Sequence, residues 1–116
     1  DRRLFIRNNS FASWMNTYSI YESQTFKKTY AALDRTEQSW IEKIKQNIKE
    51  NPSGKILRFS WFREKRYGSK RLYFIIDGDV KNIMLIDFSH KKDQNKTINF
   101  IIKNKDELLE KLKSLS

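Results

Sequence analysis

The side chains best suited to chemistry lie between Trp61 and Lys92. From Arg63 to Arg71 the chain reads Arg-Glu-Lys-Arg-Tyr-Gly-Ser-Lys-Arg, which sets cations around a single carboxylate, Glu64. Further on, Ser89-His90-Lys91-Lys92 carries the only histidine. These are parts for holding, and for cutting, a phosphodiester. Cutting a phosphodiester needs a base for the nucleophile, an acid for the departing oxygen and cations for the crowded phosphate. Glu64 is the candidate base; its cationic neighbours would keep it ionised while weakening it as a base. Its alternative role is a surface glutamate that offsets local repulsion. His90 is a candidate for proton transfer, because imidazole titrates near neutrality; its alternative role is a structural or exposed histidine. Arg71 can take a non-bridging phosphate oxygen in a two-pronged bond that lysine cannot make; otherwise it is an exposed strand-start cation bonded to a carbonyl. Lys65, Lys70, Lys91 and Lys92 fit long-range attraction of RNA. Tyr67 could stack on a base, whereas Tyr73, inside an apolar strand, is expected in the core.

These groups need a sheet to position them. Thr17 to Glu22 alternates and predicts a first strand. Phe26, Tyr30 and Leu33 fall at helical spacing. Asp34 followed by Glu37 is a capping-box signature for a second helix, with Trp40 or Ile41, Ile44 and Ile48 on its buried stripe. Asn51-Pro52-Ser53-Gly54 ends it. Ile56 to Phe62 reads as a strand with Leu57, Phe59 and Trp61 on one face, and Arg63 to Lys70 as a turn around Gly68. Leu72 to Ile76 and Asn82 to Phe88 are the clearest strands, joined by Asp77-Gly78-Asp79. Thr97 to Ile102 suits either strand or helix. Asn104 with Glu107 predicts a C-terminal helix from about Lys105, with Leu108, Leu112 and Leu115 as its apolar stripe. The order is β-α-α-β-β-β-α. The class is α+β: a small, mostly antiparallel sheet with an N-terminal helical hairpin and a C-terminal helix. Residues 1–16 read as an arm, with Phe5, Phe11 and Trp14 docking on the body, and 17–116 as one domain.

The chain has 116 residues, with 24 Lys and Arg against 14 Asp and Glu, a formal net charge of +10. That excess favours a polyanionic partner. There is no cysteine, which rules out disulfides and thiolate metal sites. No apolar run approaches the ~20 residues a bilayer requires. His90 with Asp87 and Asp93 is too little for a metal site, so metal-independent chemistry without a cofactor is expected.

From Tyr18 to about Ile102 the sequence resembles the RelE/ParE toxin superfamily, and looks closest to its RelE- and HigB-like branches. The residues that carry the resemblance are the helix pair ending at Asn51-Pro52 and the Gly54-Lys55-Ile56-Leu57 lead-in to a strand. To these add the segment Arg63 to Phe74, similar to the family's basic strand, glycine turn and Arg-hydrophobic-Tyr strand start, and Phe88-Ser89-His90-Lys91-Lys92-Asp93. The resemblance implies a RelE-like fold and a cytoplasmic mRNA endoribonuclease acting on the ribosome, held silent by an acidic antitoxin. It further implies attack of the ribose 2′-hydroxyl on its own 3′-phosphate. By position it makes Arg71 the phosphate clamp, Arg66 a second cation on the preceding strand, and His90 or its lysine neighbours the general acid. The chain departs from the family where many members carry a tyrosine after the basic segment: Gln94-Asn95 stand there. Glu64 occupies a place that is basic in some members.

The alternative is a ParE-like or non-catalytic nucleic-acid-binding member of the same fold. A membrane-surface role has only net charge in its favour, since the basic residues interrupt short strands rather than line a long amphipathic helix. The nuclease expectation carries a spatial condition: Arg71 and His90 must converge on one scissile linkage, and side chains on opposite sides of the sheet would end it. It also expects that Arg71→Ala or His90→Ala abolishes growth arrest without unfolding the protein.

Overall fold

The computed structural model describes residues 17–115. The expected arm, with Phe5, Phe11 and Trp14, lies outside the described residues. Strand β1 (Ser19–Glu22) leads into helices α1 (Gln24–Ala31) and α2 (Arg35–Glu50). Strands β2 (Lys55–Leu57), β3 (Phe59–Tyr67), β4 (Lys70–Asp77) and β5 (Asn82–His90) follow, then a 3-10 turn over Lys91–Asp93 and helix α3 (Gln94–Ser114). The sheet order is β1-β5-β4-β3-β2; β1 runs parallel to β5 and every other pair is antiparallel.

The helical hairpin follows from its caps. Ser23 Oγ accepts from the Phe26 amide at 3.0 Å and donates to Ile86 O at 2.7 Å, so the start of α1 is tied to β5. Asp34 and Glu37 form the expected capping box: Asp34 Oδ1 accepts from Glu37 N at 2.8 Å and Glu37 Oε1 from Asp34 N at 3.4 Å. A cap of this kind contributes about 1 kcal/mol.

Both faces of the sheet are covered. Phe26, Ile41 and Ile48 of α1 and α2 bury against Leu72, Phe74, Ile83, Leu85 and Phe88. Ile98, Ile101 and Leu112 of α3 bury against Phe62, Tyr73, Ile75, Met84 and Ile86. This sandwiching explains why Leu72–Ile76 and Ile83–Ile86 are continuous apolar runs rather than alternating ones.

Three expectations change. Ile56 to Phe62 is not one strand, because Arg58 has φ 63° and divides β2 from β3. Arg63 to Lys70 is not a turn: β3 continues to Tyr67, and only Gly68 (φ 58°) and Ser69 reverse the chain. The C-terminal helix begins at Gln94, before Lys105, and its cap-like Asn104 is instead a kink (φ −112°, ψ 16°). The ambiguous Thr97–Ile102 run is therefore helical. Beyond the kink, the Asn82 side-chain amide donates to Leu112 O at 2.9 Å and to Leu115 O, pinning the end of α3 to the start of β5.

Candidate active site

Extending β3 to Tyr67 decides which side chains share a face. Glu64 pairs with Tyr73, and Arg66 with Arg71, across β3 and β4; Lys55 pairs with Glu64 across β2 and β3. Directly paired residues project to the same side of a sheet. Lys55, Glu64, Arg66, Arg71 and Tyr73 thus lie on the face that α3 covers. Past the covered part, Gly54, Lys55, Glu64, Lys65, Arg66, Arg71 and Lys91 line a shallow pocket of about 450 Å³. Five of those seven residues are cationic.

The floor of the pocket is buried. Glu64 is 4% exposed and Arg71 8%. Arg71 Nη1 donates to Gly68 O at 3.0 Å and to Lys70 O at 2.9 Å, so the guanidinium clasps its own hairpin. Its Nε stands 3.7 Å from Glu64 Oε2. The same carboxylate oxygen accepts from Gln94 Nε2, at the first position of α3, at 2.7 Å. Tyr73 is fully buried beside this group, and its hydroxyl has no hydrogen-bond partner, as does the buried Ser89 Oγ. Burial pushes the Tyr73 phenol above its ordinary pKa, reinforced by the charges of Glu64 and Asp87 and opposed by Gln94 and Arg71. The Gln94 amide nitrogen is already committed to Glu64, which leaves the phenol without a well-formed bond.

His90 does not join this group. It pairs with Lys70, while Arg71 pairs with Ser89. Neighbouring strand residues project to opposite sides, so His90 and Arg71 lie on opposite faces. Lys70 confirms the assignment: it pairs with Glu37 of α2 and its Nζ sits 5.4 Å from the Phe88 ring, on the helical-hairpin side. The cause is a β-bulge in β5. Tyr73 pairs with Asp87 but Phe74 with Leu85, so one extra residue is inserted, and every later side chain is turned over. The required convergence of Arg71 with His90 is therefore not met, which ends a nuclease built on that pair; any cleavage here must draw its acid from another residue. The chain instead delivers Lys91 to the pocket, with its amide donating to Ser69 O at 2.8 Å.

The remaining candidates scatter. Lys65 Nζ donates to Ser53 Oγ at the pocket edge. Lys92 is exposed in the 3-10 turn. Tyr67 is not a free stacking surface: its ring packs 4.9 Å from Trp40 and 6.2 Å from Phe88, on the helical-hairpin side. Residue type and spacing alone do not point to Lys55 or Gln94 as site residues. The signal available was the position of Gln94, where the resembled family often has tyrosine. Among the described residues no cluster of three His, Cys, Asp or Glu could hold a metal ion, and no helix is long and apolar enough to cross a membrane.

No family model and no curated protein matches the sequence. Solved structures do match the architecture. An arginine-to-alanine double mutant of the Escherichia coli toxin RelE in the free state superposes with a TM-score of 0.62 at 14% identity, over 73% of this chain and 98% of that one. The RelBE2 toxin–antitoxin complex of Mycobacterium tuberculosis contains a chain matching at 0.57 and 19% identity, over 65% and 99%. The archaeal RelE–RelB complex of Pyrococcus horikoshii matches at 0.57 and 13%, over 65% and 96%. With its five-stranded sheet, helical hairpin and C-terminal helix, this chain has the fold of the RelE toxins.

Proposed function

We propose that this protein is the toxin of a toxin–antitoxin pair, and that the pocket around Glu64, Arg66, Arg71 and Lys91 binds and cleaves mRNA, on the ribosome. The single observation that carries the reading is the pocket itself: one buried carboxylate with cations on three strands and the following turn, in a chain of formal charge +10. Complexes of RelE-fold proteins with antitoxins support a partner of that kind, whose acidic character would complement this charge. In the reaction Glu64 takes the proton from the 2′-hydroxyl and the 2′-oxygen attacks phosphorus. The 5′-oxygen leaves with a proton from Lys91, giving a 2′,3′-cyclic phosphate and a free 5′-hydroxyl. Arg66 and Arg71 neutralise the phosphate as charge builds on it. The acid falls to Lys91 because His90 stands on the other face, and an ammonium has protons to donate.

The test is primer-extension mapping of cuts in translated mRNA after induction. Cuts are expected with the wild type, and Lys91→Ala is expected to slow them by about 10²-fold or more. Absence of cuts would reject the nuclease. The second reading, a non-catalytic nucleic-acid-binding or ParE-like member, is favoured by the separation of His90 from Arg71. It predicts RNA binding, or arrest through another target such as DNA gyrase, without cleavage.

A further inference from the structure

Gln94 stands where it can control the two most buried charges of the site. A carboxylate and a guanidinium sharing a desolvated floor ordinarily close to about 2.8 Å, commonly through two parallel bonds. Here Arg71 Nε and Glu64 Oε2 remain 3.7 Å apart, outside hydrogen-bond range. The oxygen facing Arg71 is taken by Gln94 at 2.7 Å, and Arg71 Nη1 is taken by two hairpin carbonyls. A carboxylate only accepts, so the Gln94 atom in contact with it is the NH2. Among the described residues, Glu64 Oε1 and Arg71 Nη2 make no hydrogen bond.

We infer that Gln94 is a positioning residue, a strut from the first turn of α3 that holds the Glu64 carboxylate off the Arg71 guanidinium. This rests on the proposed use of the pocket, and it adds the device that keeps the pocket open. If the pair closed, the base and the phosphate clamp would be consumed by each other in one step. The strut leaves Oε1 to accept the proton and Nη2 to meet the phosphate. It also gives Gln94 a task that does not require it to touch RNA.

The experiment compares wild type, Gln94→Ala and Gln94→Met, the last keeping side-chain length without the donor. Three quantities are read: the NMR signal of Arg71 Nε–Hε, affinity for a 2′-O-methyl RNA trinucleotide that cannot be cleaved, and single-turnover cutting of ribosome-bound mRNA. Both variants are expected to move the Hε signal downfield as the pair closes. Trinucleotide affinity should fall about tenfold, the scale of one lost charge-assisted bond, and cutting should fall further. In a Glu64→Gln background, where the base and with it the cutting are already lost, Gln94→Ala should change neither the Hε signal nor trinucleotide affinity, because no carboxylate remains to be restrained. An unmoved Hε signal overturns the inference, as does an equal loss of affinity in the Glu64→Gln background. A wild type that neither binds nor cuts RNA sinks the proposed function instead, while the Hε signal still decides the strut.

Discussion

At the scale of single residues, structural roles and the proposed chemical roles must be tested separately. Arg71 clasps the Gly68 and Lys70 carbonyls and faces a buried carboxylate. Removing it leaves Glu64 buried without its counter-charge, a loss of about 3–5 kcal/mol. Arg71→Ala is therefore expected to lower the urea midpoint sharply, contrary to the expectation that it spares the fold. Arg66 and Lys91 are exposed, so their alanine variants should lose cutting with stability nearly unchanged. His90→Ala should change neither, which a growth-arrest assay would show. Tyr73 makes a separate prediction. Its phenol is neutral in the fold, with a raised pKa, so its contribution is intact below about pH 10, the pKa of an unfolded tyrosine, and is lost as pH climbs through the folded value. Tyr73→Phe should flatten the alkaline fall in stability. It also removes a hydroxyl buried without a partner, so unfolding at neutral pH should show a gain of about 1 kcal/mol. Glu64 and Arg71 could be named from their residue types, and Arg66 from the family resemblance. Reading Arg63–Lys70 as a turn hid their common face, and the inserted residue in β5 hid the exile of His90. A bulge depends on how two strands pair, which neither strand's own residues express.

At the scale of elements, the caps and turns were legible because their signals are local. Asp34 with Glu37, Asn51-Pro52 and Gly68 each act within a few residues. The start of α3 was not legible, because Asn104 carries the chemistry of a cap and sits at an interior kink. Gly54 shows how an element holds the site. A Cβ there would come within 2.8 Å of Glu64 O and 3.3 Å of the Phe74 ring, so β2 could not lie as close to β3. Gly54→Ala is expected to cost about 1–3 kcal/mol by overpacking and to move the backbone under Glu64, which a shift in the Glu64 amide resonance would register. Asn82 does the same for α3. Replacing it by Ala leaves the Leu112 carbonyl without its buried donor, a loss of about 1–3 kcal/mol. Hydrogen exchange should quicken in the last turns of α3 while the β3–β4 hairpin stays protected.

At the scale of the molecule, the α+β class followed from the order of elements, whereas the covering of both sheet faces emerged only with the structure, which accounts for the continuous apolar runs of β4 and β5. The parallel pairing of β1 with β5 did not follow from that order either, since it joins segments with no local sign of each other. Net charge makes the molecular prediction. If Lys55, Arg66, Arg71 and Lys91 each meet a phosphate, the logarithm of affinity for single-stranded RNA should fall against the logarithm of salt with a slope of roughly −3. Fluorescence anisotropy across a salt series would measure it, and a flat dependence would remove the pocket from RNA binding. The tie between Glu64 and Gln94 spans 30 positions in the chain. During synthesis the β3–β4 hairpin leaves the exit tunnel well before Gln94 does. A nascent chain whose hairpin has emerged without Gln94 thus carries its carboxylate and guanidinium free to lock together, and the open arrangement waits for the first turn of α3 to follow.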